Sequence, residues 1–212
     1  VALNFFCSFG DKMRILGIDP GTRIAGYGVI DLSLEGSMKA VAAGAWKLDE
    51  NKELACRLAT LAIEFRRVVE AYSPTHMCLE LSFLANNPRT ALFLGHARGV
   101  VLSEAHQSGL KISEISATSA KKIISGNGRA DKSSIAKIMS SMLGFKLDIL
   151  PFDATDALAI ACADAVRMKE TKIALNINEK NRTPLQNEIL TNWKNNKKNS
   201  KKSIFNFSSL LK

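Results

Sequence analysis

Two pairs of carboxylates occupy positions in this chain where acids are conspicuous. Asp19 closes the apolar run Ile15 to Ile18 just before the turn Pro20-Gly21-Thr22, and Glu80 comes near the end of the short apolar stretch His76 to Leu81. Acids are depleted from strands and costly to bury unpaired, so each calls for a partner such as a metal ion. A turn-forming aspartate is the alternative at Asp19, and an exposed edge strand the alternative at Glu80. Asp153 and Asp156 lie three apart at the opening of an alanine-rich apolar helix. They share one face of its first turn, where free amides and the helix dipole favour negative charge, and helix capping alone explains such a pair taken in isolation. If all four converge, two of the charges at about 4 Å repel by about 4 kcal/mol at an effective dielectric near 20, and divalent cations relieve that repulsion. Two such ions roughly 3.5 to 4 Å apart, held by carboxylates with open water positions, suit in-line attack of water on a phosphodiester.

The rest of the composition narrows the metal and the partner. Cys7, Cys56, Cys78 and Cys162 form no CxxC pair, and His76, His96 and His106 have no zinc-ligand spacing with them. Oxygen ligands remain, which points to Mg²⁺ or Mn²⁺. Cys78 and Cys162 sit inside apolar runs as small core residues, so a reducing cytoplasm fits better than secretion. Two phosphate-loop patterns fail: Tyr27 and Gly28 stand where a Walker A loop needs Lys and Ser or Thr, and a second strand follows Gly21 where a dinucleotide fold needs a helix. A net charge of +9 favours a polyanionic partner, nucleic acid first. No run approaches the roughly 18 apolar residues of a membrane span, and no membrane partner is expected.

The acids need a scaffold, and the periodicities supply one. Ile15 to Asp31 reads as an antiparallel hairpin, and Met38 to Leu48 as a third strand. Apolar residues recur every three or four positions from Leu54 to Val69, which predicts a helix over 51–72 that Ser73-Pro74 ends. Its charges Glu53, Arg57, Glu64, Arg66, Arg67 and Glu70 are expected to form a solvated face. A buried fourth strand carries Glu80, and a helix over 86–108 has apolar coverage wide enough for deep burial or for a dimer face. Leu110 to Ile115 supplies a fifth strand, and short helices follow over 117–124 and 131–143, the second capped by Asp131. The helix opened by Asp153 is expected to end near Lys169.

Three regions follow from this. Residues 1–12 are expected to be an extension outside the fold, with Met13 a plausible start; 13–169 form the domain; 170–212 form a basic Lys/Asn-rich tail that should be largely disordered. The tail holds nine lysines and arginines against three glutamates, so it supplies about +6 of the +9 charge.

The segments GIDPGT (17–22), LELSF (79–83), LGHARGV (94–100) and DATDALAIA (153–161), in this order, closely resemble the RuvC family of Holliday junction resolvases over about Met13 to Lys169. That resemblance implies an α/β, RNase H-like fold, a mixed five-stranded sheet with helices on both faces, acting as a homodimer. It implies Mg²⁺-dependent symmetric nicking of four-way junction DNA, with two ions per active site and Mn²⁺ as a possible substitute. It makes Asp19, Glu80, Asp153 and Asp156 the catalytic metal-binding acids and sets Phe83 against junction bases. Lys121 and Lys132 fall at the family's basic positions near the scissile phosphate; taken alone, Phe83 also suits a core and the lysines a solvated surface, with Lys122 and Arg129 as neighbouring basic candidates. A branch-migration helicase is the further partner implied. Two rivals remain at this stage: another RNase H-like nuclease, for example one cutting RNA in hybrids, and a catalytically silent junction-binding protein.

Overall fold

The computed structural model describes residues 12–81, 88–145, 147 and 149–180, with backbone alone for 171–180. Strands β1 (Lys12–Asp19), β2 (Ile24–Ser33) and β3 (Met38–Lys47) come first, then helix α1 (Leu54–Tyr72), strand β4 (His76–Glu80), helix α2 (Pro88–Gln107) and strand β5 (Lys111–Ile115). Helices α3 (Ala117–Ser125), α4 (Lys132–Leu143) and α5 (Phe152–Lys180) complete the described chain. The strands form one sheet in the order β3-β2-β1-β4-β5. β1 pairs antiparallel with β2 and parallel with β4, while β2 with β3 is antiparallel and β4 with β5 parallel. This is the mixed five-stranded sheet the sequence predicts.

Alternation of side chains along each strand divides the core between the two faces. On one face Leu16, Ile18, Met77 and Leu79 pack with Leu61, Phe65 and Val68 of α1 and Ala97, Val101 and Ala105 of α2. On the other, Ile15 and Ile30 pack with Ile135 and Met139 of α4 and Leu158 and Ala161 of α5, and Cys78 packs with Ala120, Ile160 and Ala163. Helices therefore cover both faces.

The approach of α5 to the sheet depends on glycines at three sheet positions. A Cβ at Gly17 would lie 2.1 Å from the Ala157 carbonyl oxygen, one at Gly26 2.0 Å from that of Asp153, and one at Gly28 2.7 Å from the Leu158 nitrogen. With no side chain there, the backbone of α5 rests directly on β1 and β2, and the alanines Ala154, Ala157 and Ala161, all fully buried, keep the seam narrow.

Four sequence expectations need correction. Lys12 already belongs to β1, where it pairs with Asp31, so the fold starts inside the stretch expected to lie outside it. α1 begins at Leu54 and not Asn51. Its charges are not simply a solvated face: the Arg57 guanidinium lies 4.1 Å from the centroid of the Phe93 ring and donates to the Thr22 carbonyl, and Arg66 grips Glu104 of α2 with two hydrogen bonds of 2.6 Å. Periodicity marks a polar face but does not reveal that a second helix lies against its edge. Finally, α5 runs on to Lys180. The stretch 171–180 contains no proline or glycine to stop it, so a helix already nucleated continues through a polar composition. Residues 1–11 and 181–212 lie outside the described residues.

Candidate active site

Strand parity places the first two acids. Asp19 follows Ile15 and Gly17 on the α5 face of β1, and Glu80 follows Cys78 on the same face of β4. The parallel register aligns Ile18 with Leu79, so Asp19 and Glu80 come next, side by side at the carboxyl ends of neighbouring strands. Helix α5 brings the other pair. Gly26 is the β2 partner of Asp19 and also the residue on which the Asp153 backbone rests, so the first turn of α5 starts beside Asp19.

The electrostatics follow from this crowding. The Asp19 carboxyl is pushed up to about 8, first by burial, then by the charge of Glu80 and a hydrogen bond shared with it, then by the charges of Asp156 and Asp153. Glu80, Asp156 and Asp153 thus all bear on Asp19 electrostatically. Among the described residues, however, no three His, Cys, Asp or Glu side chains are arranged to close on one metal ion. Asp156 is turned instead toward Lys132, whose Nζ donates to its Oδ2 at 2.6 Å, a contact that holds the ammonium above its ordinary value. The donor set is all oxygen and short of positive charge, which fits a hard divalent cation.

The sequence also singled out Lys121, Lys132 and Phe83. Lys121 and Lys132 both line a cavity of about 740 Å³ together with Asp19, Glu80 and Asp156. Lys132 occupies the first position of α4, just after the capping Asp131 accepts from the Ser134 amide at 2.8 Å. The cap thus fixes where that lysine starts. Asp153 is felt by Asp19 through its charge but does not line the cavity. Phe83 lies outside the described residues.

Other residues enter that sequence reasoning left unassigned. Arg98, inside the quoted LGHARGV segment, donates to the Glu80 carbonyl at 3.4 Å and pairs with Glu114 of β5, so α2 helps hold the strand end that presents Glu80. Phe152 and Leu150 line the same cavity as the acids. A phenylalanine at a helix start carries no signal by itself, because only the fold tells an exposed ring from a buried one.

Comparison with known proteins agrees with this layout. The family profile described as crossover junction endodeoxyribonuclease RuvC matches residues 15–164. The chain belongs to the RuvC family. A relative from Bdellovibrio bacteriovorus, the crossover junction endodeoxyribonuclease RuvC of that organism, is 40% identical over 159 residues, 75% of this chain and 94% of its own. The RuvC of Geobacter sulfurreducens is likewise 40% identical, over 153 residues, 72% of this chain and 92% of its own. Among solved structures, Thermus thermophilus RuvC in complex with Holliday junction substrate superposes with a TM-score of 0.71 at 25% identity, covering 75% of this chain and 96% of that one. The sheet described above is thus the RNase H-like sheet of RuvC. Among the described residues, no helix is long and apolar enough to cross a membrane.

Proposed function

We propose that this chain is an endodeoxyribonuclease that resolves four-way DNA junctions in recombination and repair, and that Asp19, Glu80, Asp153 and Asp156 are its catalytic metal-binding acids. Asp19 carries the assignment: burial first, and then the neighbouring Glu80, Asp156 and Asp153, push its carboxyl up to about 8. Metal dependence goes with the family; the ion proposed here is Mg²⁺, two per site, with Mn²⁺ able to substitute. Bound ions would lower the pKa of the attacking water and neutralise the leaving oxygen.

The chain's own groups then have distinct tasks. Asp19 and Glu80, fixed on rigid strand ends, hold their oxygens still, so little reorganisation is needed when positive charge arrives. Asp153 and Asp156 close the site from the first turn of α5. Lys132 offsets the negative charge of Asp156 until a phosphate is present, and its exposed ammonium is then free to pair with the phosphate, with Lys121 lining the same cavity. A fixed cation there stabilises charge that grows in the transition state. Phe83 is proposed to contact junction bases.

Symmetric nicking needs two sites, and a homodimer through α2 supplies them. Leu92 on that helix is 64% exposed, and the space beside Gly95 and Gly99 is open, so a second helix can approach closely. A cytoplasmic location and a branch-migration helicase as partner belong to the same proposal. The test is cleavage of a synthetic four-way junction with Mg²⁺, beside linear duplex and an RNA/DNA hybrid, with Asp19→Asn as control. Paired nicks in the junction alone, abolished by the substitution, are the expected result. Cutting of the hybrid replaces the substrate, and tight junction binding without cutting replaces the enzyme with a silent binding protein.

A further inference from the structure

The cavity over the acids has an apolar lining that hydrolysis does not use. Besides Asp19, Glu80 and the two lysines, Leu150, Pro151 and Phe152 line it. Phe152 is 77% exposed although it is the first residue of α5, immediately before Asp153. Its backbone is therefore held by the same helix that presents two of the acids, while its ring projects uncovered. The Lys132 ammonium lies 5.8 Å from the ring centroid, within the range of cation–π attraction, and the same ammonium binds Asp156. Ring, lysine and acid are thus one unit at the cavity mouth.

A cavity that carries charged groups and an exposed aromatic ring within a few ångströms of each other matches a nucleotide, which presents an anionic phosphate and a π-face at similar spacing. We propose that Phe152 stacks on the nucleobase next to the scissile phosphate, so that the apolar wall of the cavity is a base-binding subsite. The proposal rests on the resolvase reading above. Stacking on an aromatic ring accepts any base, because every base has a π-face. Phe152 thereby grips the nucleotide adjoining the cut whichever base it carries. An uncovered ring next to the acids, of no use to the folded protein alone, gains its partner when the strand enters.

The experiment compares the unsubstituted protein, Phe152→Leu and Phe152→Trp on junctions that differ only in the base beside the cut. Leucine keeps the apolar bulk and removes the stacking face, and the melting temperature is read to verify that all three fold alike. Phe152→Leu is expected to lower kcat/KM about tenfold whichever base stands beside the cut, with Phe152→Trp retaining the activity. Unchanged kcat/KM in Phe152→Leu, or a Phe152→Trp protein no better than the leucine variant, would overturn the base contact alone. Failure of the unsubstituted protein to cut any junction would overturn the resolvase reading, and the base contact with it.

Discussion

At the scale of single residues, Asp19 sets the chemistry and also a liability. Its carboxyl ionises at 3.8 when free and at about 8 in the fold, so between those values the folded chain binds a proton that the unfolded chain lacks. Stability then falls as pH rises through that window, provided no cation is present. Thermal melts in chelator are expected to show a lower Tm at about pH 9 than at about pH 6. Asp19→Asn, which cannot ionise, should flatten that difference while abolishing junction cleavage, and Mg²⁺ should restore the Tm of the unsubstituted protein most at the higher pH. Lys132 offers a second test. Lys132→Ala removes both the restraint on Asp156 and a cation beside the phosphate, and single-turnover cleavage is expected to slow by about 100-fold. Circular dichroism should remain unchanged, because the Lys132 side chain is 60% exposed.

At the scale of elements, the seam between α5 and the hairpin decides whether the acids meet. The glycines of β1 and β2 let helix backbone touch strand backbone, and a methyl group at Gly26 would have to occupy space 2.0 Å from the Asp153 carbonyl oxygen. Gly26→Ala is therefore expected to cost about 3 kcal/mol in urea denaturation, at the upper end for overpacking, because backbone and not a flexible side chain is in the way. Cleavage should fall further than stability predicts, since the displaced turn carries Asp153 and Asp156 away from Asp19. In the sequence Gly26 only matches the glycine spacing of a phosphate loop and Gly28 only stands where that loop needs Ser or Thr; the task of both becomes visible once α5 lies over them. The α1–α2 contact teaches the same lesson. The charges of α1 look solvated when α1 is considered alone, yet Glu104, 7% exposed, is held by Arg66 from that face.

At the scale of the whole molecule, assembly and long-range charge matter. If α2 forms the dimer face, Leu92→Glu should convert a dimer to monomers in sedimentation velocity, with junction binding weakened and the fold unchanged. The Lys/Asn-rich stretch is expected to act differently, through charge alone. Deleting 181–212 is expected to weaken binding to junction and linear duplex alike, and to reduce the log–log salt slope by about 0.9 for each phosphate it had neutralised. Discrimination of junction over duplex should survive, because counterion release carries no information about shape. Failure to discriminate in that experiment would assign shape recognition to the basic stretch.

By itself, the sequence determined the strand and helix order, the capping Asp131 and the two acidic pairs. Those features are local: alternation, three-to-four spacing and short apolar runs are written in neighbouring residues. It also determined the family, because four separated motifs in one order are specific in combination. The tertiary structure decided what no local pattern contains. Parallel pairing of β1 with β4 set Asp19 beside Glu80, although 61 positions separate them. Close packing on Gly26 brought α5 to both, burial and then the neighbouring acids shifted the ionisation of Asp19, and Asp156 pairs with Lys132. Exposure, too, is a property of the fold. Phe152 is one more apolar residue in the chain, and only the arrangement of α4 and α5 leaves its ring bare at the mouth of the cavity.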